Sequence, residues 1–164
     1  MAEPLPPGVT AEQMAETLER FRRIVGKDWV FTDEQMVSYR DPYPVTNDDT
    51  RHRAHAAIPP ATTEEVQEIV KAANVHGVPL WPVSRGKNFA YGGAAPVLSG
   101  SVVLVLSRMN RILEVNEKFG YALVEPGVSY FDLYNYIQSK GLKLWLDVPD
   151  PGWGSVMGNA LDHG

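Results

Sequence analysis

The chain has 164 residues and a mass of 18.2 kDa, which is the size of one ordinary domain. Its net charge of −5 disfavours nucleic acid and anionic membranes as partners, because both reward clustered Lys and Arg. The chain has no cysteine, which excludes disulfide scaffolds, thiolate metal sites and cysteine nucleophiles, and which fits a reducing, cytoplasmic location. No run approaches the roughly 18 apolar residues of a membrane helix, and the N-terminus lacks the basic and apolar regions of a secretory signal.

The first 53 residues predict a helical arm and a loop. Thr10 and Gln13 have the spacing of a capping box, and they precede an apolar stripe with helical periodicity: Met14, Leu18, Phe21 and Val25. A short second helix is expected from Thr32, with Gln35 completing the same capping device. Residues 41–53 predict a polar, proline-containing loop.

A β-α-β unit is predicted next. Residues 54–58 and 78–83 indicate strands, and the helix between them begins after Thr62, with Glu65 at its third position. Its expected buried stripe consists of Val66, Ile69, Val70 and Ala73. A right-handed crossover between parallel strands is expected. Residues 101–106 form a continuous apolar run, which predicts a strand buried on both faces.

The remaining residues predict a hairpin, a helix and two short elements. Residues 111–115 and 121–125 indicate an antiparallel hairpin. Ser129 is the expected cap of a helix whose buried stripe would be Leu133, Tyr136 and Ile137. Residues 142–146 indicate a last short strand, and Ser155 opens a final helix.

The segment PVSRGKNFAYGGAAP, residues 82–96, is the most informative one. Its small residues let backbone N–H groups approach a ligand, and consecutive N–H groups in such a turn form an anion-binding concavity. Arg85 and Lys87 can add positive charge, so a diphosphate is the natural ligand. The pattern matches neither the G-x-G-x-x-G fingerprint nor the P-loop. A turn of small residues packed against the sheet is the alternative interpretation.

Two other segments are rich in small or turn-forming residues. In GWGSVMGNALDHG, residues 152–164, the helix start at Ser155 would present free N–H groups to an anion. The alternative is a helix entry packed beneath a neighbouring strand. The EPGV sequence, residues 125–128, predicts only a tight turn.

Together these segments resemble the vanillyl-alcohol oxidase/p-cresol methylhydroxylase flavoprotein family. The resemblance rests on PVSRGKNFAYGGAAP, MNRILEVNEKFGYALVEPGVSYFDLYNYIQ and LWLDVPDPGWGSVMGNALDHG in that order, and it extends to LPPGV and RDPYPV. It implies an α+β fold, namely the first subdomain of a PCMH-type FAD-binding domain with a β-α-β unit and a mixed sheet, in residues 54–164 behind a helical arm in residues 1–53. Family members are considerably longer, so we expect this chain to be an N-terminal fragment that retains FAD weakly or not at all.

The resemblance also implies where FAD binds. In the family, the loop matching residues 84–93 holds the diphosphate, the segment matching residues 154–159 lies against diphosphate and flavin, and EPGV borders the adenine. The implied cofactor-binding residues are Ser84, Arg85, Gly86, Lys87, Asn88, Phe89, Gly92, Gly93, Pro149, Gly154, Ser155, Val156, Gly158 and Asn159.

Two side chains match catalytic residues of the family. Tyr91 matches the tyrosine that hydrogen-bonds a substrate phenolate, and Asp150 matches the carboxylate beside flavin N5. The implied activity is oxidation of a para-substituted phenol, by hydride transfer to N5 through a quinone methide. Without the resemblance, Tyr91 would be interpreted as a core residue and Asp150 as a local turn cap. The implied partners are a small phenolic substrate and further copies of the full-length protein, but no nucleic acid and no membrane.

The sequence departs from the family pattern at three positions. Ala90 replaces a usual glycine, Arg85 a usual small residue and His163 a usual arginine. Two alternatives therefore stay open: a non-catalytic FAD-binding fragment, and an FAD enzyme of the same fold that acts on 2-hydroxy acids. No metal site is expected, because His52 and His55 lack a further ligand at metal-site spacing.

Overall fold

A parallel three-stranded sheet lies at the centre of the computed structural model, which describes residues 4–43, 51–87, 93–148 and 152–162. Its strands are β1 (Ala56–Ile58), β2 (Leu80–Val83) and β3 (Val102–Val105), in the order β1-β3-β2. All four residues of β3 are buried, because this strand has a strand on each side and apolar side chains on both faces. The prediction of a fully buried third strand is confirmed.

Helix α1 (Ala11–Val25) covers one face of this sheet. Its N-terminus has the predicted capping box: the Gln13 amide donates to Thr10 Oγ1, and the Gln13 side chain accepts from the Thr10 amide. The four stripe residues are buried, and Phe21 is completely inaccessible. They share one apolar core with α2, β1 and β3, so α1 packs directly against the sheet.

Helix α2 (Thr63–His76) connects β1 to β2 and ends at Gly77, which adopts the left-handed conformation. The Glu65 amide donates to Thr62 Oγ1, as expected of the cap. The predicted stripe is right at Ile69 and Ala73 and wrong at Val70, which is exposed, because the contact face of the helix is centred on Ile69, Ala72 and Ala73. The three strands are parallel, as the β-α-β prediction requires.

The segment after Thr32 differs from its prediction. It forms a 3₁₀ helix (Asp33–Tyr39) without a side-chain cap, because the Thr32 hydroxyl donates to the neighbouring Asp33 carboxylate. The Gln35 amide instead donates to the Thr32 backbone carbonyl. The capping box predicted here is therefore wrong.

An antiparallel hairpin forms the second sheet. Strands β4 (Ile112–Asn116) and β5 (Tyr121–Val124) pair as predicted, with one bulge between Ile112 and Glu114. The α+β class and the presence of both parallel and antiparallel pairing are confirmed. The two kinds of pairing lie in two separate sheets.

Helix α3 (Tyr130–Ser139) packs on the hairpin through Leu133 and Ile137. Ser129 and Asp132 form a complete capping box. Tyr136 of the predicted stripe is only half-buried.

The strand predicted for residues 142–146 is absent from the structure. The segment does alternate, with Leu142, Leu144 and Leu146 packed on the α3 core. No strand lies beside it among the described residues, so the segment has the apolar alternation of a strand without hydrogen bonds to a neighbouring strand.

Helix α4 (Val156–Asp162) begins directly after Ser155, as predicted. Its entry is held to the start of α3, because the amides of Tyr130 and Phe131 donate to the carbonyls of Gly154 and Gly152. In the part of the chain that the structure describes, no helix has the length and apolarity needed to cross a membrane.

Candidate functional site

Three segments that are far apart in the sequence meet beside the carboxyl ends of β2 and β3. Ser84, directly after β2, donates its hydroxyl to the Pro126 carbonyl. Arg85 Nη1 donates to the Gly127 carbonyl at 3.1 Å. Ser155 pairs with Ser129 in an antiparallel bridge. The Gly-rich loop, the EPGV turn and the entry to α4 are therefore adjacent, as a single ligand-binding site requires.

The Gly-rich loop begins and ends at glycines that the backbone requires. Gly86 has φ +63°, and an added Cβ would lie 2.7 Å from the Ala94 Cβ. Gly93 has φ +52°, and an added Cβ would lie 3.0 Å from Pro42 Cδ. Both positions exclude a side chain, because neighbouring protein atoms fill the space and the backbone has a positive φ. The two described ends of the loop are therefore closely packed against the rest of the protein.

The EPGV turn is equally close-packed. An added Cβ at Gly127 would overlap the carbonyl oxygen of Leu106 and lie 2.8 Å from that of Met109. Behind the turn, Glu125 accepts three hydrogen bonds from Arg111, through the backbone amide, Nε and Nη2. These bonds hold the pKa of Glu125 below its usual value. The turn is thus held in place by close packing and hydrogen bonds, and the start of the Gly-rich loop is hydrogen-bonded to it.

The start of α4 has fewer free N–H groups than the sequence suggests. The Val156 amide donates to the Val128 carbonyl at 3.1 Å, and the Gly158 amide donates to Ser155 Oγ at 2.9 Å. An added Cβ at Gly158 would lie 2.6 Å from Ser155 Oγ and 3.9 Å from Ser84 Cβ. The amides of Val156 and Gly158 therefore have partners within the protein, as in a packed helix entry, and their contact with the cofactor stays a prediction. Gly158 also brings the helix within contact distance of the loop.

A cavity of about 230 Å³ opens beside the loop. Its lining residues come from the 3₁₀ helix, the loop and the end of β3: Ser38, Tyr39, Arg85, Lys87, Ala94, Val105 and Ser107. Burial raises the pKa of Tyr39, so its hydroxyl stays protonated at neutral pH and can donate a hydrogen bond. Lys87 and three hydroxyl groups give the cavity donors for an anion, while Arg85 also lines it with its Nη1 bonded to the Gly127 carbonyl.

Ser38, Tyr39 and Ser107 were not identified from the sequence. Ser38 and Tyr39 lie before the Gly-rich loop by more than forty residues, and only the packing of the 3₁₀ helix on β1 brings them near it. Proximity to the RDPYPV segment, which belongs to the family resemblance, is the one sequence signal that could have drawn attention to them.

Ten of the sixteen residues expected at the site lie in the described part of the chain: Ser84, Arg85, Gly86, Lys87 and Gly93 of the loop, and Gly154, Ser155, Val156, Gly158 and Asn159 of the α4 segment. The other six lie outside the described residues: Asn88, Phe89, Tyr91, Gly92, Pro149 and Asp150. The roles of all sixteen stay predictions. Ala90 and His163, two of the departures from the family pattern, also lie outside.

The histidines of the RHRAH run contact backbone. His52 Nδ1 lies 3.1 Å from the Pro96 carbonyl, and His55 Nδ1 lies 2.8 Å from the Pro4 carbonyl. No group of three His, Asp or Glu side chains in the described ranges could hold a metal ion. These histidines therefore connect loops of the fold.

Comparison with known proteins identifies the family. A model of the FAD binding domain matches residues 54–164. The flavoprotein subunit of 4-cresol dehydrogenase (hydroxylating) from Pseudomonas putida is 40% identical over 98% of this chain and 31% of its own length. A 1'-carboxy-chondrochloren decarboxylase from Chondromyces crocatus is 41% identical over 95% of this chain and 28% of its own length.

A solved structure agrees with these relatives. The 4-ethylphenol oxidase from Gulosibacter chungangensis superposes with a TM-score of 0.93 and 47% identity, over 98% of this chain and 31% of that protein. The chain thus spans less than a third of the proteins that it matches. The resemblance inferred from the sequence motifs is confirmed. The chain belongs to the FAD binding domain family, within its vanillyl-alcohol oxidase/p-cresol methylhydroxylase group, and its cofactor is FAD.

Proposed function

We propose that the chain is the FAD-binding part of an oxidoreductase that acts on para-substituted phenols, either 4-hydroxybenzylic alcohols or 4-alkyl- and 4-allylphenols. One observation carries the proposal: nearly the whole chain superposes on a 4-ethylphenol oxidase at 47% identity. The chain covers 31% of that protein, so the substrate pocket of the full-length protein is inferred from the relative.

FAD would be held by the three segments that meet at the site. We assign its diphosphate to the Gly-rich loop, where Gly86 and Gly93 leave no room for a side chain and Lys87 adds positive charge. The α4 segment contributes the Ser155 hydroxyl and Asn159. The remaining residues expected from the family pattern are Ser84, Arg85, Asn88, Phe89, Gly92, Pro149, Gly154, Val156 and Gly158.

Two side chains carry the substrate chemistry in this proposal. Bound FAD supplies a two-electron acceptor at flavin N5. Tyr91 donates its hydroxyl to the phenolate oxygen of the substrate, which lowers the pKa of the phenol and makes the benzylic carbon electron-rich. The substrate loses the phenolic proton and a benzylic hydride, and it becomes a para-quinone methide.

Asp150 acts on that product. Its carboxylate stabilises the electron-poor quinone methide and takes a proton from the water that adds to the benzylic carbon. The added hydroxyl converts a 4-alkylphenol into a 4-hydroxybenzylic alcohol, and the proton returns to the phenolate oxygen. One water is consumed, and two electrons leave the substrate.

The test is anaerobic mixing of the full-length protein with 4-ethylphenol while the flavin absorbance is followed. We expect the oxidised flavin band to bleach. Asp150→Ala should lower turnover by about 10²-fold or more while flavin content stays near one per chain. The matched control is Asp147→Ala, an exposed carboxylate of the same segment. Loss of flavin and turnover together would make Asp150 structural. Flavin left unbleached by 4-ethylphenol, by a 4-hydroxybenzylic alcohol and by a 4-allylphenol would overturn the proposed substrate class.

A second candidate function is decarboxylation, because a decarboxylase is 41% identical over 95% of the chain. Release of CO₂ from a para-hydroxylated aryl acid such as 4-hydroxymandelate, without turnover of 4-ethylphenol, would favour it. Glycolate and lactate in the same assay test the alternative of a 2-hydroxy acid enzyme.

We also propose that the full-length protein is a cytoplasmic homo-oligomer. The family resemblance supports self-association, and the absence of cysteine is compatible with the cytoplasm. Light scattering coupled to gel filtration measures the first property, and cell fractionation measures the second.

A further inference from the structure

Arg85 contacts protein groups, although it lies in a loop where a cation for the cofactor is expected. Its Nη1 donates to the Gly127 carbonyl at 3.1 Å and lies 3.5 Å from Asp132 Oδ2 in the cap of α3. The preceding residue, Ser84, donates to the Pro126 carbonyl. Two consecutive side chains therefore fasten the start of the loop to the EPGV turn and to α3.

Lys87 has a different environment. Its side chain is exposed, lines the same cavity and forms no ion pair within the described part of the chain. An ammonium group in this state can approach an anion without breaking a protein contact. The Nη1 of Arg85 donates to the Gly127 carbonyl and lies 3.5 Å from Asp132 Oδ2, so it would give up these contacts to bind an anion.

We propose that Arg85 is a positioning residue for FAD, whereas Lys87 supplies the positive charge that the diphosphate meets. Arg85 holds the loop, the turn and α3 in the arrangement that the cofactor requires, before the cofactor arrives. This inference rests on the proposed placement of the FAD diphosphate at the Gly-rich loop. It does not depend on the substrate that the enzyme oxidises.

The hydrogen bonds of the turn give this arrangement a physical reason. A carbonyl oxygen that faced a diphosphate would repel it. The donors of Ser84 and Arg85 engage the carbonyls of Pro126 and Gly127, and so hold these oxygens against the protein. A loop that is fixed in this way loses less conformational entropy when the ligand binds.

Removal of the negative charge of Asp132 shows whether Arg85 positions the loop or binds phosphate directly, because the two roles predict opposite changes in FAD affinity. If Arg85 bound phosphate directly, Asp132→Asn would remove a nearby negative charge, free the guanidinium and tighten FAD binding. If Arg85 is a positioning residue, the same change loosens the loop and weakens binding. Asparagine retains an oxygen that can accept the Ser129 amide, so α3 stays capped.

The experiment uses full-length apoprotein produced in riboflavin-depleted cells, with FAD binding followed by quenching of flavin fluorescence. Circular dichroism first establishes a temperature at which every variant is folded. We expect Kd for FAD to rise roughly threefold for Asp132→Asn and about tenfold for Arg85→Met and for Lys87→Met. Arg85→Lys should recover less than half of the loss on a logarithmic scale, because its shorter side chain cannot span the same contacts.

Double variants and salt provide the controls. Asp132→Asn should not raise Kd further in Arg85→Met, because both substitutions remove the same interaction. In Lys87→Met it should raise Kd by its full factor. Lys87→Met should flatten the salt dependence of Kd, and Arg85→Met should leave it unchanged. Tighter binding by Asp132→Asn, or additivity with Arg85→Met, would overturn the inference. If Arg85→Met fails to fold, the sign of the Asp132→Asn effect decides alone.

The outcomes also separate this inference from the proposed function. Wild-type apoprotein that binds no FAD would overturn the placement of the cofactor and this inference with it. Protein that binds FAD, responds to Asp132→Asn as expected and is not reduced by phenols would overturn the proposed substrate class and leave Arg85 as a positioning residue.

Discussion

The two halves of the structure bury their apolar side chains to very different degrees. The N-terminal layer (α1, α2 and the parallel sheet) encloses Phe21, Ile58, Ile69 and Val102 completely. The C-terminal layer (the β4-β5 hairpin and α3) has a small core of Val128, Leu133 and Ile137, and it presents an exposed apolar outer face that includes Leu113, Phe119 and Leu123. The stability of the fold therefore comes chiefly from the first layer. The EPGV turn of the second layer and the α4 entry that follows it supply two of the three segments of the proposed cofactor site.

The largest test of this difference replaces a core residue of the N-terminal layer. Phe21→Ala should lower the free energy of unfolding by about 4 kcal/mol, because it empties a fully buried site between α1 and the sheet. The matched control in the C-terminal layer is Phe119→Ala, a 71% exposed aromatic, which should cost at most about 0.5 kcal/mol. Urea denaturation measures both. Similar losses for the two variants would contradict the assignment of stability to the N-terminal layer.

The next test is at the junction of the two layers. Gly127→Ala should destabilise the protein by about 3 kcal/mol, since the new Cβ would overlap the Leu106 carbonyl and crowd that of Met109. Gly120→Ala is the control: the site has φ +65° and nothing within 4 Å of an added Cβ, so only backbone strain of about 1 kcal/mol is expected. Differential scanning calorimetry compares them, and an equal shift in Tm would contradict the close packing of the EPGV turn.

A third test compares the two capping boxes. Ser129→Ala should cost about 1.5 kcal/mol and also weaken FAD binding, because the buried Ser129 hydroxyl holds Asp132, whose carboxylate lies 3.5 Å from Arg85 Nη1. Thr10→Ala removes an exposed cap in the N-terminal layer, so it should cost about 1 kcal/mol and leave FAD affinity unchanged. Thermal unfolding and FAD titration are the readouts. Equal FAD affinities in the two variants would show that the cap of α3 does not affect FAD binding.

The smallest expected effect is on the free energy of unfolding at acidic pH. The Arg111 guanidinium holds the pKa of Glu125 below its usual value. The resulting stability is fully present above the pKa of the unfolded chain and is lost as the pH falls through the lower pKa of the folded state. Glu125→Gln should therefore flatten the decline of unfolding free energy below about pH 4.5. A pH series of urea denaturation curves that is identical for Glu125→Gln and wild type would remove Glu125 from the acid response.

Local patterns predicted most of the secondary structure. The capping box at Thr10, the cap at Ser129 and the apolar run of β3 depend on near neighbours in the sequence, and the structure agrees with them. Apart from the capping box at Thr32, the errors occur where tertiary contacts decide. Residues 142–146 alternate like a strand but have no described strand beside them, and Val70 follows helical periodicity but faces away from the core.

The site was only partly predictable for the same reason. Its glycines were identifiable, because small residues in a turn have a local meaning. The contacts of Arg85 and of the Val156 amide depend on segments that are distant in the sequence, and the Gly158 amide bonds the Ser155 cap of α4. Ser38 and Tyr39 reach the cavity through the packing of the short helix expected from Thr32, and no sequence pattern indicated that this helix packs beside the loop.

The backbone pairing between the start of α3 and residues 152–156 has a mechanical consequence. Tyr130, Phe131 and Val156 each donate an amide across this junction, and an added Cβ at Gly152 would lie 2.5 Å from the Phe131 ring. A displacement of α3 must therefore also displace residues 152–156, to which it is hydrogen-bonded. The exposed side of α3, around Tyr134, is thereby mechanically connected to the start of α4.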